Sequence, residues 1–527
     1  MVKGIKFKKV ESFFLIVVLF SFSVVFFKYF PFGGFSVIKN IAIKVQIAVE
    51  QEIKYRQYSK ELKAKKINDF SNPVYSATKS VVIPVLLYHG VLEYPQDIEE
   101  ISIDNFKDQM FVLKKAGYST IDTKDYLRFM RGEIDLPSKS VLITFDDGRK
   151  DNLYNADPIL KATGFKATTY IITATYKDDF ITPYYLDRKE LERMNTSGRW
   201  DIQSHGFESH FLIQIDSAGK KGHFMSNLKW LSDKNRQETL EEFRVRIKTD
   251  LVKAKTELEN DFDIKVLTYS FPFGDYGNKS KNYEIKKNAI EISTRVYPIA
   301  FIQHSNSNEE GYFRVNYRSL ENTLFKRFKV NPYFSGEELL DVLESLEPVE
   351  KTYQEDFLNS SNWLLAWGDL SVGNKQLKLR SISSTNSGAL FFDKNYDWKN
   401  YSFSSKQIVN GSDFSLIARS IDGGNYVSCR FQQDRISIEV NEDGVIYEKV
   451  TTNPDFSFDL SVEQNVELRI MDQQIECLVD NEIIVFYDKI NDKLSHGSVG
   501  YKVWNDNGPA ELIVTEMKLQ KTSLFEN

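Results

Sequence analysis

Two neighbouring carboxylates follow a short apolar run in the middle of the sequence. Residues 141–144 are apolar or β-branched and predict a buried strand, and Asp146, Asp147 and Gly148 come just after it. Where the chain turns at the end of a strand, both carboxylates can point into one pocket. One could then bind a metal ion while the other takes a proton from a water molecule that the metal activates. The alternative is a solvated Asp-Asp-Gly turn.

Most of the few histidines in the chain lie at the end of a predicted strand or just after one. In a parallel barrel, residues at the carboxyl ends of strands line the active site. Asp147 with two imidazoles would leave an open coordination position, which suits a catalytic zinc or a similar divalent ion. For any one histidine the alternative is a solvated loop residue. Four of the six histidines end or follow predicted strands, namely His89, His205, His210 and His304. The other two, His223 and His496, do not.

The elements that must position these residues alternate between strands and helices from residue 80 to 347. A charged amphipathic pattern at 236–260 predicts a long helix, and a capping signal at Ser335 predicts a last one. This alternation predicts a parallel α/β fold, for which a barrel is a good candidate. The predicted strands are 81–89, 140–144, 167–172, 200–204, 266–271 and 296–302.

Residues 352–523 have a different pattern. Short alternating runs such as 435–440 and 466–470 are separated by turns, which predicts a β-sandwich with jelly-roll topology. The two cysteines, Cys429 and Cys477, both fall in predicted strands, and a disulfide between them is one of two alternatives. The absence of a CxxC pair excludes a cysteine-based zinc site.

The N-terminal residues indicate export. A basic segment precedes residues 12–27, which carry no charge, and no small-x-small cleavage site follows them. We therefore expect a transmembrane signal anchor at 1–33 and a stalk at 34–79, with a cleaved signal peptide and a secreted protein as the alternative. The basic flank places the following domains on the extracytoplasmic side of the cell membrane. A net charge of −6 gives no indication of a nucleic-acid partner.

Residues 80–330 resemble the polysaccharide deacetylases of carbohydrate esterase family 4, which have a NodB-homology domain and a distorted (β/α)7 barrel. Residues 84–89 are similar to their opening strand, and 144–148 to their first catalytic motif. His205 and His210 are similar to the second motif, and 271–277 to the third. Four residues separate the two histidines, as in the deacetylases that act on poly-β-1,6-N-acetylglucosamine, so the resemblance favours that polymer over chitin or peptidoglycan.

The resemblance implies roles for individual residues. Asp147, His205 and His210 would bind a divalent metal, zinc ahead of cobalt, nickel or iron, and Asp146 would act as the general base. The backbone N–H of Phe273 would help to stabilise the oxyanion. The substrate-binding residues would be His89, Pro272 and Tyr276.

Two positions depart from the family pattern. Many members have an arginine two residues before the proline of the third motif, where it orients the base. Here that position is Ser270, and Arg314 or Arg318 is the expected substitute. Many members also have a late Leu-x-His that supplies a general acid. No such motif is present here, and His304 is the candidate.

These observations predict a membrane-tethered, metal-dependent N-deacetylase of an extracellular N-acetylglucosamine polysaccharide. The alternatives are a deacetylase of peptidoglycan or chitin-type chains, an O-deacetylase of another polysaccharide, and a glycan-binding surface protein with an idle barrel. The sandwich resembles concanavalin-like or laminin-G-like domains, which often bind glycans. Its aromatic residues either stack on sugars or fill the core, and the candidates are Trp398, Tyr401 and Trp504.

Overall fold

The structure of the protein is a computed structural model. It describes residues 35–64, 79–303 except 81 and 177–182, 316–317, 324–346, and 349–522 except 350, 359, 382–386, 393, 396, 423 and 453–456. The predicted membrane anchor and the candidates His304, Arg314 and Arg318 lie outside the described residues. Among those that are described, no helix combines the length and the apolar character needed to cross a bilayer.

Seven parallel strands close into a barrel. They are β1 (Val85–Tyr88), β2 (Ser140–Phe145), β3 (Ala167–Ile171), β4 (Trp200–Ser204), β5 (Thr268–Ser270), β6 (Ile299–Gln303) and β7 (Phe325–Lys329). Neighbours in the ring follow sequence order, and β7 pairs with β1 to close it. Strands β2 and β3 are buried along their whole length, which explains their continuous apolar and β-branched character. The predicted (β/α)7 barrel is confirmed.

Helices pack around the barrel. They are α1 (Phe35–Ala64), α2 (Ile103–Lys115), α3 (Thr123–Met130), α4 (Asp157–Thr163), α5 (Arg188–Thr196), α6 (Leu240–Phe262), α7 (Tyr283–Val296) and α8 (Gly336–Ser345). The long helix predicted from residue 236 begins at Leu240, because Thr239 and Glu242 form a reciprocal capping box there. Arg236–Gln237 instead pairs with Trp230–Leu231 as a short hairpin.

The predicted stalk contains a helix that docks on the barrel. The Tyr55 hydroxyl donates to Asp157 Oδ2 at 2.8 Å, and Arg193 pairs with Glu52 at 2.7 Å. The Arg193 guanidinium also lies over the Tyr55 ring at 4.3 Å, and Leu62 is buried. The C-terminal half of α1 is therefore part of the barrel's outer layer, next to α4 and α5.

Four short ladders complete the barrel domain. They pair Val82–Ile83 with Asn316–Tyr317, Gly90–Leu92 with Glu100–Ser102, Ile213–Gln214 with Lys221–Gly222, and Ser119–Thr120 with β2. The hairpin at Ile213 lies in the long insertion between β4 and α6, close in sequence to His210.

Two antiparallel sheets form the C-terminal domain. The first contains Thr352–Gln354, Asp369–Gly373, Gln376–Arg380, Tyr401–Asn410, Gln464–Met471, Gln474–Val479, Glu482–Tyr487 and Glu511–Lys521. The second contains Leu364–Trp367, Ser387–Phe392, Asp413–Asp422, Asn425–Gln432, Ile436–Glu442, Val445–Thr451 and Ser498–Trp504. The predicted all-β region is confirmed as two sheets that share one apolar core.

The core of the sandwich settles two alternatives left open by the sequence. Cys429 and Cys477 form a disulfide that joins the second sheet to the first, with 5.7 Å between their Cα atoms. Trp398 and Tyr401 are buried in the core, so neither can stack on a sugar at the surface. Trp504 is 38% exposed and is the candidate that keeps an accessible ring.

Candidate metal centre

Three metal-ligand side chains meet at the carboxyl end of the barrel. Asp147 follows β2, His205 follows β4, and His210 lies on the loop after it. The Nε2 atoms of His210 and His205 lie 3.1 Å and 3.5 Å from Asp147 Oδ1. One donor atom from each residue falls within 4.8 Å of the other two. The predicted ligand set is therefore brought together.

The turn after β2 lets both carboxylates face the site. Adjacent side chains of a regular strand point to opposite faces, but Asp147 has a left-handed backbone with φ of 72°. Such a conformation costs a non-glycine residue roughly 1 kcal/mol or more, and it is found often at functional sites. Gly148 continues the turn at φ of 66°.

The loop between the two histidines is held from α6. Asp250 on that helix accepts the backbone N–H groups of Phe207 at 3.1 Å and of Glu208 at 2.6 Å. Gly206 has φ of 84°, and a Cβ there would lie 1.8 Å from Ser209 Oγ. The four residues between the histidines thus form a tight turn that requires glycine and brings His210 back over Asp147.

His205 is oriented for metal binding by its second nitrogen. Its Nδ1 lies 2.8 Å from the carbonyl oxygen of Ser270, so Nδ1 must carry the proton and donate it. The lone pair of Nε2 is then directed to Asp147 and the metal position. A carbonyl partner of this kind fixes the tautomer of metal-binding histidines. Two imidazoles and one carboxylate, with His210 partly exposed, fit a catalytic divalent metal with an open coordination position.

Asp146 is held on the opposite side by a buried arginine. Nη1 and Nη2 of Arg327 donate to its Oδ1 and Oδ2 at 2.6 Å and 2.7 Å. The Ser270 hydroxyl donates to Asp146 Oδ2 at 3.1 Å and accepts from Arg327 at 2.7 Å. Arg327 is completely buried, and its guanidinium lies 5.3 Å from the centre of the Tyr170 ring.

Arg327 is the arginine that the described residues place on the base, whereas the expected Arg314 and Arg318 lie outside those residues. Arg327 comes from β7 and reaches across the barrel to Asp146, and the small Ser270 side chain leaves room for it. Both carboxylate oxygens of Asp146 accept from this guanidinium.

Different neighbouring groups keep Asp146 and Asp147 ionised. Burial raises the pKa of Asp146, but the charge of Arg327 outweighs it and holds that pKa below its usual range. Burial also raises the pKa of Asp147, and the imidazoles of His205 and His210 that face this carboxylate bring its pKa well below the ordinary value. Both groups are therefore carboxylates at neutral pH.

His89 lies at the same end of the barrel, directly after β1. Its Nδ1 lies 3.2 Å from Glu99 Oε2, and Lys329 pairs with the other oxygen of Glu99. Glu99 therefore faces Nδ1 of this imidazole.

The third motif places one aromatic ring at the site. Phe273 is 45% exposed, has φ of 58°, and its ring centre lies 4.6 Å from that of His210. The two hydrogen bonds of its turn are donated by Gly274 and Asp275, so neither uses the Phe273 N–H. Pro272 and Tyr276, predicted to bind substrate, are buried instead, because the turn folds Tyr276 back against Phe271 in the core.

Sequence reasoning missed three residues of this site. Arg327 and Ser270 hold the base, and His223 packs edge-on against Phe273 with 5.0 Å between ring centres. An arginine in the alternating Phe-Lys-Arg-Phe-Lys run of the last strand was the available signal for Arg327. His223 lies in the insertion after β4, and no local pattern connects it with the metal ligands.

Comparison with known proteins supports the resemblance. A family model described as polysaccharide deacetylase matches residues 133–291. The poly-beta-1,6-N-acetyl-D-glucosamine N-deacetylase of Escherichia coli (strain K12) is 26% identical over 213 residues, which is 38% of this chain and 32% of that protein. The enzyme of that name from Staphylococcus epidermidis is 26% identical over 212 residues, 40% of this chain and 66% of that one.

A solved structure is also similar to part of this chain. A de-N-acetylase from Aggregatibacter actinomycetemcomitans is 19% identical and covers 49% of this chain and 98% of its own, with a TM-score of 0.41. The chain thus spans about a third of the length of the Escherichia coli relative and just under two thirds of the Staphylococcus epidermidis one. The match to the family model lies within the barrel domain, and the family resemblance inferred from the sequence motifs is confirmed there.

Proposed function

We propose that this chain, whose residues 133–291 match the polysaccharide deacetylases, is a metal-dependent hydrolase that removes acetyl groups from N-acetylglucosamine units of an extracellular polysaccharide. The observation that carries the proposal is the division between two adjacent carboxylates. Asp147 faces two histidines with metal-binding geometry, whereas Asp146 faces Arg327 and Ser270. Poly-β-1,6-N-acetylglucosamine is the favoured polymer, because the enzymes from Escherichia coli and Staphylococcus epidermidis carry that substrate in their names.

Asp147, His205 and His210 would hold the metal, for which zinc is the first choice given two imidazoles and one carboxylate. When bound there, a divalent ion polarises the acetamide carbonyl and makes a water molecule more acidic. Asp146 accepts the proton of the attacking water. Arg327 keeps that carboxylate ionised and fixed in direction, so it enters the reaction as a base.

His89 is the residue we assign as general acid. The departing amine of the sugar must take up a proton, and His89 lies directly after β1, at the end of the barrel that carries the metal ligands. Glu99 engages its Nδ1, so Nε2 is the nitrogen that can give a proton to the amine. This assignment replaces His304 and changes the role of His89 from substrate binding to proton transfer.

The completed environment of Asp146 weighs against the alternative of an idle, glycan-binding barrel. That alternative drew its support from the missing arginine and the missing late histidine. Arg327 and His89 supply both functions from other strands. Deacetylation of peptidoglycan or chitin-type chains remains the second candidate, because the metal centre acts on an acetamide in either polymer.

We also propose that the two domains act outside the cytoplasm, tethered by the apolar segment at 12–27. The disulfide between Cys429 and Cys477 supports this location, since such bonds persist in oxidising compartments. The zinc preference and the membrane tether are parts of the same proposal.

The test is acetate release by the zinc-loaded protein from three polymers offered separately: poly-β-1,6-N-acetylglucosamine, chitin oligomers and peptidoglycan. We expect release from the first, and none from it with Asp146→Asn. Release from chitin oligomers or peptidoglycan alone would transfer the substrate assignment to that polymer. No release from any of the three, with zinc bound, would contradict the enzymatic proposal and favour a binding role.

A further inference from the structure

A cavity of about 500 Å³ lies between helix α1 and the barrel, and the segment that follows Asp147 contributes to its lining. Arg149 lines it and comes two residues after Asp147. The Arg149 guanidinium packs so closely on Gly90, the neighbour of His89, that a Cβ at Gly90 would lie 2.4 Å from its Nη2. Tyr184 also lines the cavity, and its carbonyl oxygen accepts from the backbone N–H of Lys150 at 2.8 Å. The cavity therefore borders the segment that carries both catalytic carboxylates.

The wall of the cavity is polar and electrically balanced. Arg149 pairs with Glu100 and Asp151, each at 2.8 Å, and its guanidinium lies 4.6 Å from the centre of the Tyr184 ring. The acidic lining residues are Glu93, Glu100 and Asp151, and the basic ones are Lys54, Arg149 and Lys150. Equal numbers of acids and bases favour an uncharged ligand over an anionic or a cationic polymer.

Helix α1 contributes the opposite wall. Gln51, Lys54 and Tyr58 line the cavity and lie on one face of the helix, at spacings of three and four residues. The Tyr58 hydroxyl oxygen is buried and has no hydrogen-bond partner in the part of the chain that is described. A buried hydroxyl without a partner is costly, and a ligand in the cavity could satisfy it.

We propose that this cavity is a sugar-binding subsite that takes one uncharged N-acetylhexosamine residue of the polymer, next to the residue that loses its acetyl group. This inference rests on the proposed function. The volume is in the range of roughly 300–1,000 Å³ typical of small-molecule sites. Tyrosine rings offer apolar faces to the C–H groups of a sugar, and Tyr58 and Asn155 offer hydrogen bonds. The subsite requires α1, so docking of this helix determines how well long substrates bind.

Filling the cavity tests the proposal. Lys54→Trp places a large ring in it from an exposed position on α1, and Lys60→Trp is the matched control, at another exposed position of the helix outside the lining. The substrates are a β-1,6-linked N-acetylglucosamine hexamer and 4-methylumbelliferyl acetate, a small ester that needs no subsite. Melting temperatures of both variants confirm that each is folded.

We expect Lys54→Trp to raise the KM for the hexamer about five- to tenfold, while turnover of the small ester stays within about twofold of the wild type. Tyr58→Phe, which removes only the unpaired hydroxyl, should raise that KM roughly two- to tenfold. Lys60→Trp should change neither the KM for the hexamer nor the turnover of the small ester. An unchanged KM for the hexamer in Lys54→Trp would overturn the subsite.

Failure of the proposed function would give a different pattern. If the wild type does not deacetylate the hexamer, its binding to the zinc-loaded protein is measured by calorimetry. Weaker binding to Lys54→Trp than to Lys60→Trp would support the subsite without deacetylation. Equal binding to both, or no binding to the wild type, would overturn it.

Discussion

Replacing Arg327 with methionine should reduce both stability and activity, because it leaves a buried carboxylate without its partner. Arg327 is completely buried, and two of its nitrogens hold the oxygens of Asp146 at 2.6 Å and 2.7 Å. Removing one member of such a pair costs roughly 3–5 kcal/mol. Burial then dominates and raises the pKa of Asp146, so the base is less ionised. Loss of a general base lowers turnover by about 10²–10⁴-fold.

The pH dependence of the effect has a defined sign. In the native protein the pKa of Asp146 is lowered, so the ion pair contributes stability above the unfolded pKa of about 4, and this stability is lost as the pH falls through the folded pKa. In Arg327→Met the folded pKa is raised instead, and stability falls as the pH rises from the unfolded pKa to the folded one. The two proteins should therefore differ most at about pH 8 and least near about pH 3.

A double-mutant cycle in the urea unfolding of the metal-free barrel measures this coupling. Asp146→Asn removes the charge that Arg327→Met leaves unpaired, so the double variant should be more stable at pH 8 than Arg327→Met alone. We expect a coupling free energy of about 3 kcal/mol or more. Arg327→Met should still bind metal, because none of the three ligands contacts the guanidinium. Additive effects of the two substitutions, or undiminished acetate release by Arg327→Met, would refute the role given to this arginine.

Three further substitutions test the proposed general acid, the disulfide and the exposed tryptophan of the sandwich separately. His89→Gln should lower the kcat for acetate release about 10²–10⁴-fold with metal content unchanged, and a wild-type kcat would remove His89 as the acid. Replacing Cys429 and Cys477 with serine should lower the unfolding free energy of the sandwich by about 4 kcal/mol, since the bond closes a loop with a sequence separation of 48. The same variant should release acetate from short oligomers as the wild type does. Loss of that activity would show that the active barrel requires a stable sandwich. Trp504→Ala should reduce retention on insoluble polymer without changing turnover of short oligomers, and equal retention would exclude this ring from glycan binding.

The metal ligands were predictable from the sequence because each follows a strand that is itself easy to recognise. Asp147 comes just after the apolar and β-branched run of β2 and His205 directly after β4, and a parallel barrel brings such positions to one end. Arg327 was not predictable in this way. It lies within its strand, and its contact with Asp146 depends on the order in which the strands close the ring.

Other differences between the predictions from the sequence and the structure arise from tertiary contacts that no local sequence pattern indicates. Tyr276 belongs to a recognisable motif, but the turn after Phe273 directs it into the core. Residues 34–79 were predicted as a stalk, whereas Tyr55 and Glu52 use their polar groups to dock α1 on the barrel. Pairing of the two cysteines required the register of two strands in opposite sheets, which alternation alone does not give.

The division of roles between the adjacent carboxylates is tested most directly by measuring bound zinc and acetate release for three proteins side by side. The wild type should bind one zinc ion and release acetate from poly-β-1,6-N-acetylglucosamine. Asp146→Asn should retain the zinc and release no acetate, whereas Asp147→Asn should lose both. Loss of zinc from Asp146→Asn, or acetate release by Asp147→Asn without bound metal, would contradict the assignment of one carboxylate to the metal and the other to the proton.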